Sequence, residues 1–75
     1  MELRIMDPGH GDKNIQVDDA NKDDIAKAKK IFDEKKKKGW LIWGYKKGQN
    51  KVATLMKRFS PSFNRIVMTP PPTGG

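Results

Sequence analysis

Asn21-Lys22-Asp23-Asp24-Ile25-Ala26-Lys27-Ala28-Lys29-Lys30-Ile31-Phe32-Asp33-Glu34-Lys35-Lys36-Lys37-Lys38-Gly39 carries the clearest structural signal in this chain. Asn21 is a good helix N-cap, because its side-chain oxygen can accept from the free N–H groups of a first turn. Asp23 and Asp24 add negative charge at that positive end of the helix dipole, and Lys35, Lys36, Lys37 and Lys38 add positive charge at the other end. Ile25, Ala28, Ile31 and Phe32 share one helical face about 120° wide, the stripe that a helix buries against a core. Lys35 falls on the same stripe and can lay its methylene stem over that core. Gly39 is a natural residue to end the helix in a left-handed conformation. The pattern predicts a helix over residues 22–38.

Upstream of that helix, residues 1–7 alternate weakly, with Leu3 and Ile5 on one side, and residues 14–18 alternate again through Ile15 and Val17. Asp7-Pro8-Gly9-His10-Gly11-Asp12 lies between them as a dense turn signal, in which proline presets φ and glycine supplies φ > 0. Residues 2–18 therefore read as a β-hairpin. Downstream, residues 40–45 are aromatic and β-branched enough for a strand, and Lys46-Lys47-Gly48-Gln49-Asn50 reads as a turn. Residues 51–59 give a partner strand, in which Val52, Thr54 and Met56 alternate with Ala53, Leu55 and Lys57. Ser60-Pro61-Ser62 breaks it, and residues 65–69 form a last short strand. The expected order is ββαβββ, without repeat or internal linker. One helix laid on one face of a mixed sheet buries these elements most simply, which makes an α+β domain of residues 1–69 followed by an arm over residues 70–75.

The 75 residues contain no cysteine and one histidine. A chain this short buries only about 60–65% of its unfolded surface, so its core is thin. The composition excludes a disulfide framework, a thiolate metal site and a multi-histidine site within one chain. No apolar run approaches the roughly 20 residues of a membrane span, and residues 1–20 do not read as a signal peptide. The expectation is a soluble protein without membrane contact, in the interior of a cell or assembled there. The net charge of +7 hides a partition: residues 1–34 hold all nine carboxylates and six Lys/Arg, hence −3, whereas residues 35–75 hold ten Lys/Arg and no acid, hence +10. A cationic half of this kind favours a polyanion or an acidic protein surface, and a lysine-rich solvated surface is its plainer explanation.

Catalysis finds little support. Asp7, His10 and Asp12 cluster in one turn, but these types form hairpin turns by bonding to local backbone. Pro8-Gly9-His10-Gly11 is followed by neither Gly-Lys-Ser/Thr nor an immediate helix, so it is not a phosphate loop. Asp18, Asp19, Asp23 and Asp24 are better explained as helix-start electrostatics than as paired catalytic acids. The reading is a non-enzymatic chain with no catalytic residue, metal, cofactor or small-molecule substrate.

Polyanion binding is better motivated. Lys35, Lys36, Lys37, Lys38, Lys46, Lys47, Lys51, Lys57, Arg58 and Arg65 could surround Trp40, Trp43 and Tyr45, pairing phosphate neutralisation with stacking platforms. Trp40 and Trp43 are three positions apart, so a regular strand points them to opposite faces and puts one under the helix. One tryptophan and Tyr45 then remain for stacking. Pro70, Pro71, Pro72, Thr73, Gly74 and Gly75 form a stiff arm; six residues in polyproline geometry reach about 19 Å. That arm can present a terminal carboxylate for activation, or stop the last strand and dock on a neighbour.

The order of elements and Gly74-Gly75 resemble the ubiquitin-like β-grasp superfamily across nearly the whole chain. That resemblance implies conjugation through Gly75; three prolines stand where the arginine-containing ending is usual. The chain is also similar to small proteins encoded among the morphogenesis genes of tailed bacteriophages and prophages. The shared pattern is Gly11-Asp12, a helix ending in the spacing Phe32 to Gly39, an aromatic strand, Phe59-Ser60-Pro61, Ile66-Val67, proline and Gly-Gly. Ser60 replaces the acid usual between Phe and Pro. This second resemblance implies a virion or an assembly context in the host cytoplasm. The expected role is a non-catalytic interaction or structural component that uses its sheet and C-terminal arm for protein contacts. A ubiquitin-like modifier and a non-specific nucleic-acid binder are the alternatives.

Overall fold

The computed structural model describes residues 1–49 and 51–72. It contains β1 (Glu2–Asp7), β2 (Gly11–Gln16), α1 (Lys22–Lys37), β3 (Leu41–Tyr45), β4 (Thr54–Leu55) and β5 (Arg65–Thr69), the ββαβββ order expected of a β-grasp-like fold. The strands form one mixed sheet in the order β2-β1-β5-β3-β4, with β1 and β5 parallel and the other neighbours antiparallel. The parallel pair lies inside the sheet, where its strands are bonded on both edges and hold the fully buried Leu3, Ile66 and Met68.

Local chemistry explains the joints. Asp7 accepts from Gly9 N–H through Oδ1 at 3.0 Å and from His10 N–H through its carbonyl at 3.2 Å. Gly11 follows with φ +80°, so Pro8-Gly9-His10 closes β1 onto β2 as a three-residue hairpin loop. Asn21 Oδ1 accepts from Asp23 N–H at 2.9 Å and Asp24 N–H at 3.2 Å. At the other helix end, Trp40 N–H donates to Lys35 O and Gly39 N–H to Lys36 O, both at 3.0 Å, with Gly39 at φ +87°. This is a Schellman closure, and its usual apolar contact between the flanking positions is here a cation–π contact, Lys35 Nζ 4.2 Å from the Trp40 ring centroid.

The core lies between the helix and one face of the sheet. Ala28 and Phe32 from α1 meet Leu3, Ile5, Ile42, Ile66 and Met68, with Ile25 and Ile31 packed at the margin. Phe59 stands edge-on to Phe32 at 5.7 Å between centroids, and the Phe63 ring covers Gly44. The expected strand over residues 51–59 shrinks to Thr54–Leu55. Only Trp43↔Leu55 and Gly44↔Thr54 pair there, joined by a 2.8 Å bond from Met56 N–H to Ile42 O. Phe59 packs beside Phe32 instead of continuing the ladder, which carries the chain off the sheet edge. Val52 consequently stays 62% exposed rather than joining the core.

Candidate functional site

In each strand the side chains not used for the core point to the opposite face of the sheet. Register brings them into rows. The middle row runs Asn14, Arg4, Val67, Trp43, Leu55, and a neighbouring row runs Gln16, Glu2, Arg65, Tyr45. Leu41 and Met6 lie on the same face at the far side of the middle row. Among the described residues no helix covers it: α1 contributes its buried residues, Ala28 and Phe32, to the other face. Val67, Trp43 and Leu41 are half-buried by their neighbours, while Leu55 is 45% and Met6 37% exposed. The result is an apolar strip contributed by β1, β5, β3 and β4, with only polar side chains from β2, open to solvent on one side.

Two polar groups mark this face. Arg65 and Glu2 form an ion pair, with Nε 3.3 Å from Oε1. Arg4 is held beside Val67 and Asn14, and its Nε is buried without a hydrogen-bond partner, the one such side-chain atom among the described residues. Residue-by-residue reading of the sequence did not single out Arg4. Its position two residues from Glu2 and between Leu3 and Ile5 on an alternating strand was the signal available.

Of the three aromatic residues considered for stacking, Trp43 and Tyr45 share the open face, whereas Trp40 precedes β3, packs against the core and carries Lys35 on its ring. The ten basic residues do not form one surface around them. The pairing of β3 with β4 and β5 divides them between the two ends of β3. Lys35, Lys36, Lys37, Lys38, Lys57 and Arg58 gather near the Leu41 end, where Lys36 Nζ donates to Met56 O at 3.2 Å. Lys46, Lys47, Lys51 and Arg65 lie near the Tyr45 end. Lys37, Lys38, Lys46, Lys47, Lys51, Lys57 and Arg58 are exposed, whereas Lys35, Lys36 and Arg65 are partly buried and already engaged.

The C-terminal arm starts at the first of these ends. β5 runs antiparallel to β3, so Thr69 lies opposite Leu41, and a Cβ added at Gly39 would meet the Pro71 ring at 3.8 Å. Pro70, Pro71 and Pro72 therefore leave the domain beside the lysine-rich helix terminus. The expectations placed on Thr73, Gly74 and Gly75 lie outside the described residues.

The Asp7 turn is a local structure. His10 Nδ1 lies 3.3 Å from Asp7 Oδ2, and the His10 side chain is 80% exposed. The Gly9 amide, helped by His10 and Lys35, holds the Asp7 carboxyl below its ordinary range. Among the described residues no three His, Cys, Asp or Glu side chains are placed to hold a metal, and no helix is long and apolar enough to cross a membrane. Shallow concavities bordered by Gly48, Gln49, Lys51 and Val52, and by the outer helix residues Ala26, Lys29, Lys30, Asp33 and Glu34, are open to solvent. Comparison with protein-family models, curated proteins and solved structures finds no match to this chain.

Proposed function

We propose that the chain is a non-catalytic interaction and structural protein that binds a partner protein through the open face of its sheet. The observation that carries this reading is the uncovered row Val67, Trp43, Leu55, apolar at its centre and flanked by charged groups. Such composition, with an aromatic anchor inside a polar rim, is what protein interfaces use. The arm over residues 70–75 starts at one end of β3 and lies along the same partner. The resemblance of the sequence pattern to tailed-phage morphogenesis proteins favours a virion, or its assembly in the host cytoplasm, as the setting of this contact.

A photo-crosslinking amino acid at Leu55, compared with one at Lys29 on the outer side of the helix, tests the reading. A defined protein crosslinked from position 55, which then binds the purified chain and binds Trp43→Ser at least about thirtyfold less tightly, is the expected result. Equal crosslinking from both positions, with no effect of Trp43→Ser, contradicts it. Deleting residues 70–75 weakens the same complex; unchanged affinity removes the arm from the account.

Polyanion binding has one observation in its favour, the placement of Trp43 and Tyr45 on one face between two basic ends. It demands a steep loss of oligonucleotide affinity with salt and further weakening when Lys35, Lys36, Lys37 and Lys38 are neutralised. A flat salt response excludes it.

A further inference from the structure

We propose that Arg4 determines the specificity of the open face by reading a carboxylate on an acidic protein partner, an inference that rests on the sheet-face reading above. A guanidinium stays protonated at any physiological pH, so burying its Nε–H without an acceptor leaves a partly desolvated charge uncompensated. The acids within the fold do not correct this. Glu2, its neighbour on the same face, is engaged by Arg65 at 3.3 Å, and Asp12 makes no ion pair with Arg4. Asn14, directly across in β2, is exposed and does not bond to Nε. The apolar side of Arg4 continues into Val67 and Trp43, so a ligand seated on that strip brings its own polar groups to the guanidinium.

The charge distribution selects the class of occupant. A second copy of the chain brings another +7 and another unpaired Arg4 to the same place, and repulsion opposes that pairing. A nucleic acid brings phosphates against Glu2 and Asp12, which share the face, and finds the aliphatic Val67 and Leu55 where further stacking platforms are needed. A protein segment with apolar side chains between carboxylates fits all three features. Its apolar groups cover Val67, Trp43 and Leu55, one carboxylate accepts from the two Nη groups of Arg4, the end of the guanidinium that is not buried with Nε, and others face the basic ends of β3.

The test uses two peptides, acetyl-Glu-Leu-Phe-Glu-amide and acetyl-Gln-Leu-Phe-Gln-amide, and a ten-residue oligothymidylate. Each is titrated into the full chain and followed by the amide, indole and arginine Nε–H resonances. The acidic peptide is expected to move the Arg4 Nε–H and Trp43 indole signals and to bind at least about tenfold more tightly than the neutral one. Arg4→Gln brings the two affinities together, and Arg4→Lys restores only part of the difference because a point charge replaces a planar fork. The amide spectrum of each variant checks that the sheet is intact; if Arg4→Gln disturbs it, the comparison is made on Arg4→Lys alone. Equal binding of both peptides at the open face by the unmodified chain overturns the role of Arg4 and leaves the sheet-face reading standing. Binding of both peptides elsewhere, or movement of the open-face signals by the oligonucleotide alone, overturns both.

Discussion

Gly44 shows how one residue can be fixed by a contact far away in sequence. A Cβ at this position would lie 2.6–2.8 Å from the Phe63 ring, too close for the aromatic to stay where it packs. Gly44→Ala is therefore expected to lower stability by roughly 1–3 kcal/mol through overpacking. Combining it with Phe63→Leu should cost less than the sum of the two changes, as read from urea unfolding. Strict additivity would show that the ring does not depend on the glycine. Nothing local in the sequence names Phe63 as the neighbour of Gly44, since it lies eight residues beyond β4. At Asp7 the depressed carboxyl pKa is a linkage statement. A group whose folded value lies below its ordinary 3.8 contributes stability above that pH and loses it as pH falls through the folded value. The Asp7 carboxyl should titrate below 3.8 by NMR, with the Gly9 amide moving at the same midpoint. A midpoint at or above the ordinary value would separate the turn from that bond.

At the scale of elements, the most legible parts were those whose signals are local. The helix start, its apolar stripe and Gly39 as the closing residue all follow from side-chain chemistry within a turn or two. The hairpin is equally local, since Pro8 and two glycines specify its loop. Asn21→Ala should cost about 1 kcal/mol by removing the acceptor for two amides. Gly39→Ala should cost about 1–2 kcal/mol because its φ of +87° strains any Cβ-bearing residue. Thermal or urea unfolding checks both, and an unchanged midpoint in either would mean that the cap is not stabilising. Residues 51–59 were less legible. Their alternation resembles that of a strand, but an edge strand is held on one side only, and Phe59 gains more by packing on Phe32 than by extending the ladder. Of the interaction site, the sequence indicated that one tryptophan would lie on the outer face beside Tyr45. It did not indicate the split of the lysines, because only the antiparallel register of β3 with its neighbours shows which loops meet at each end.

For the molecule as a whole, 75 residues correspond to a total stability of roughly 4–11 kcal/mol. Phe32→Ala, which empties a fully buried position at the centre of the helix–sheet layer, should cost about 3–5 kcal/mol, roughly a quarter or more of that total. Changes on the opposite face remove no core contact, so Trp43→Ser should keep the fold while altering association. That separation follows from the architecture: a single helix can cover one side of a five-stranded sheet, and the other side stays apolar at its centre with no element of the described residues laid over it. The most direct measurement is the affinity of the partner recovered through Leu55 for the unmodified chain and for Trp43→Ser, with unfolding followed on the same samples. Binding is expected to fall at least about thirtyfold in a Trp43→Ser variant that stays folded and loses less stability than Phe32→Ala. Binding equal to that of the unmodified chain, in a variant that remains folded, would contradict this.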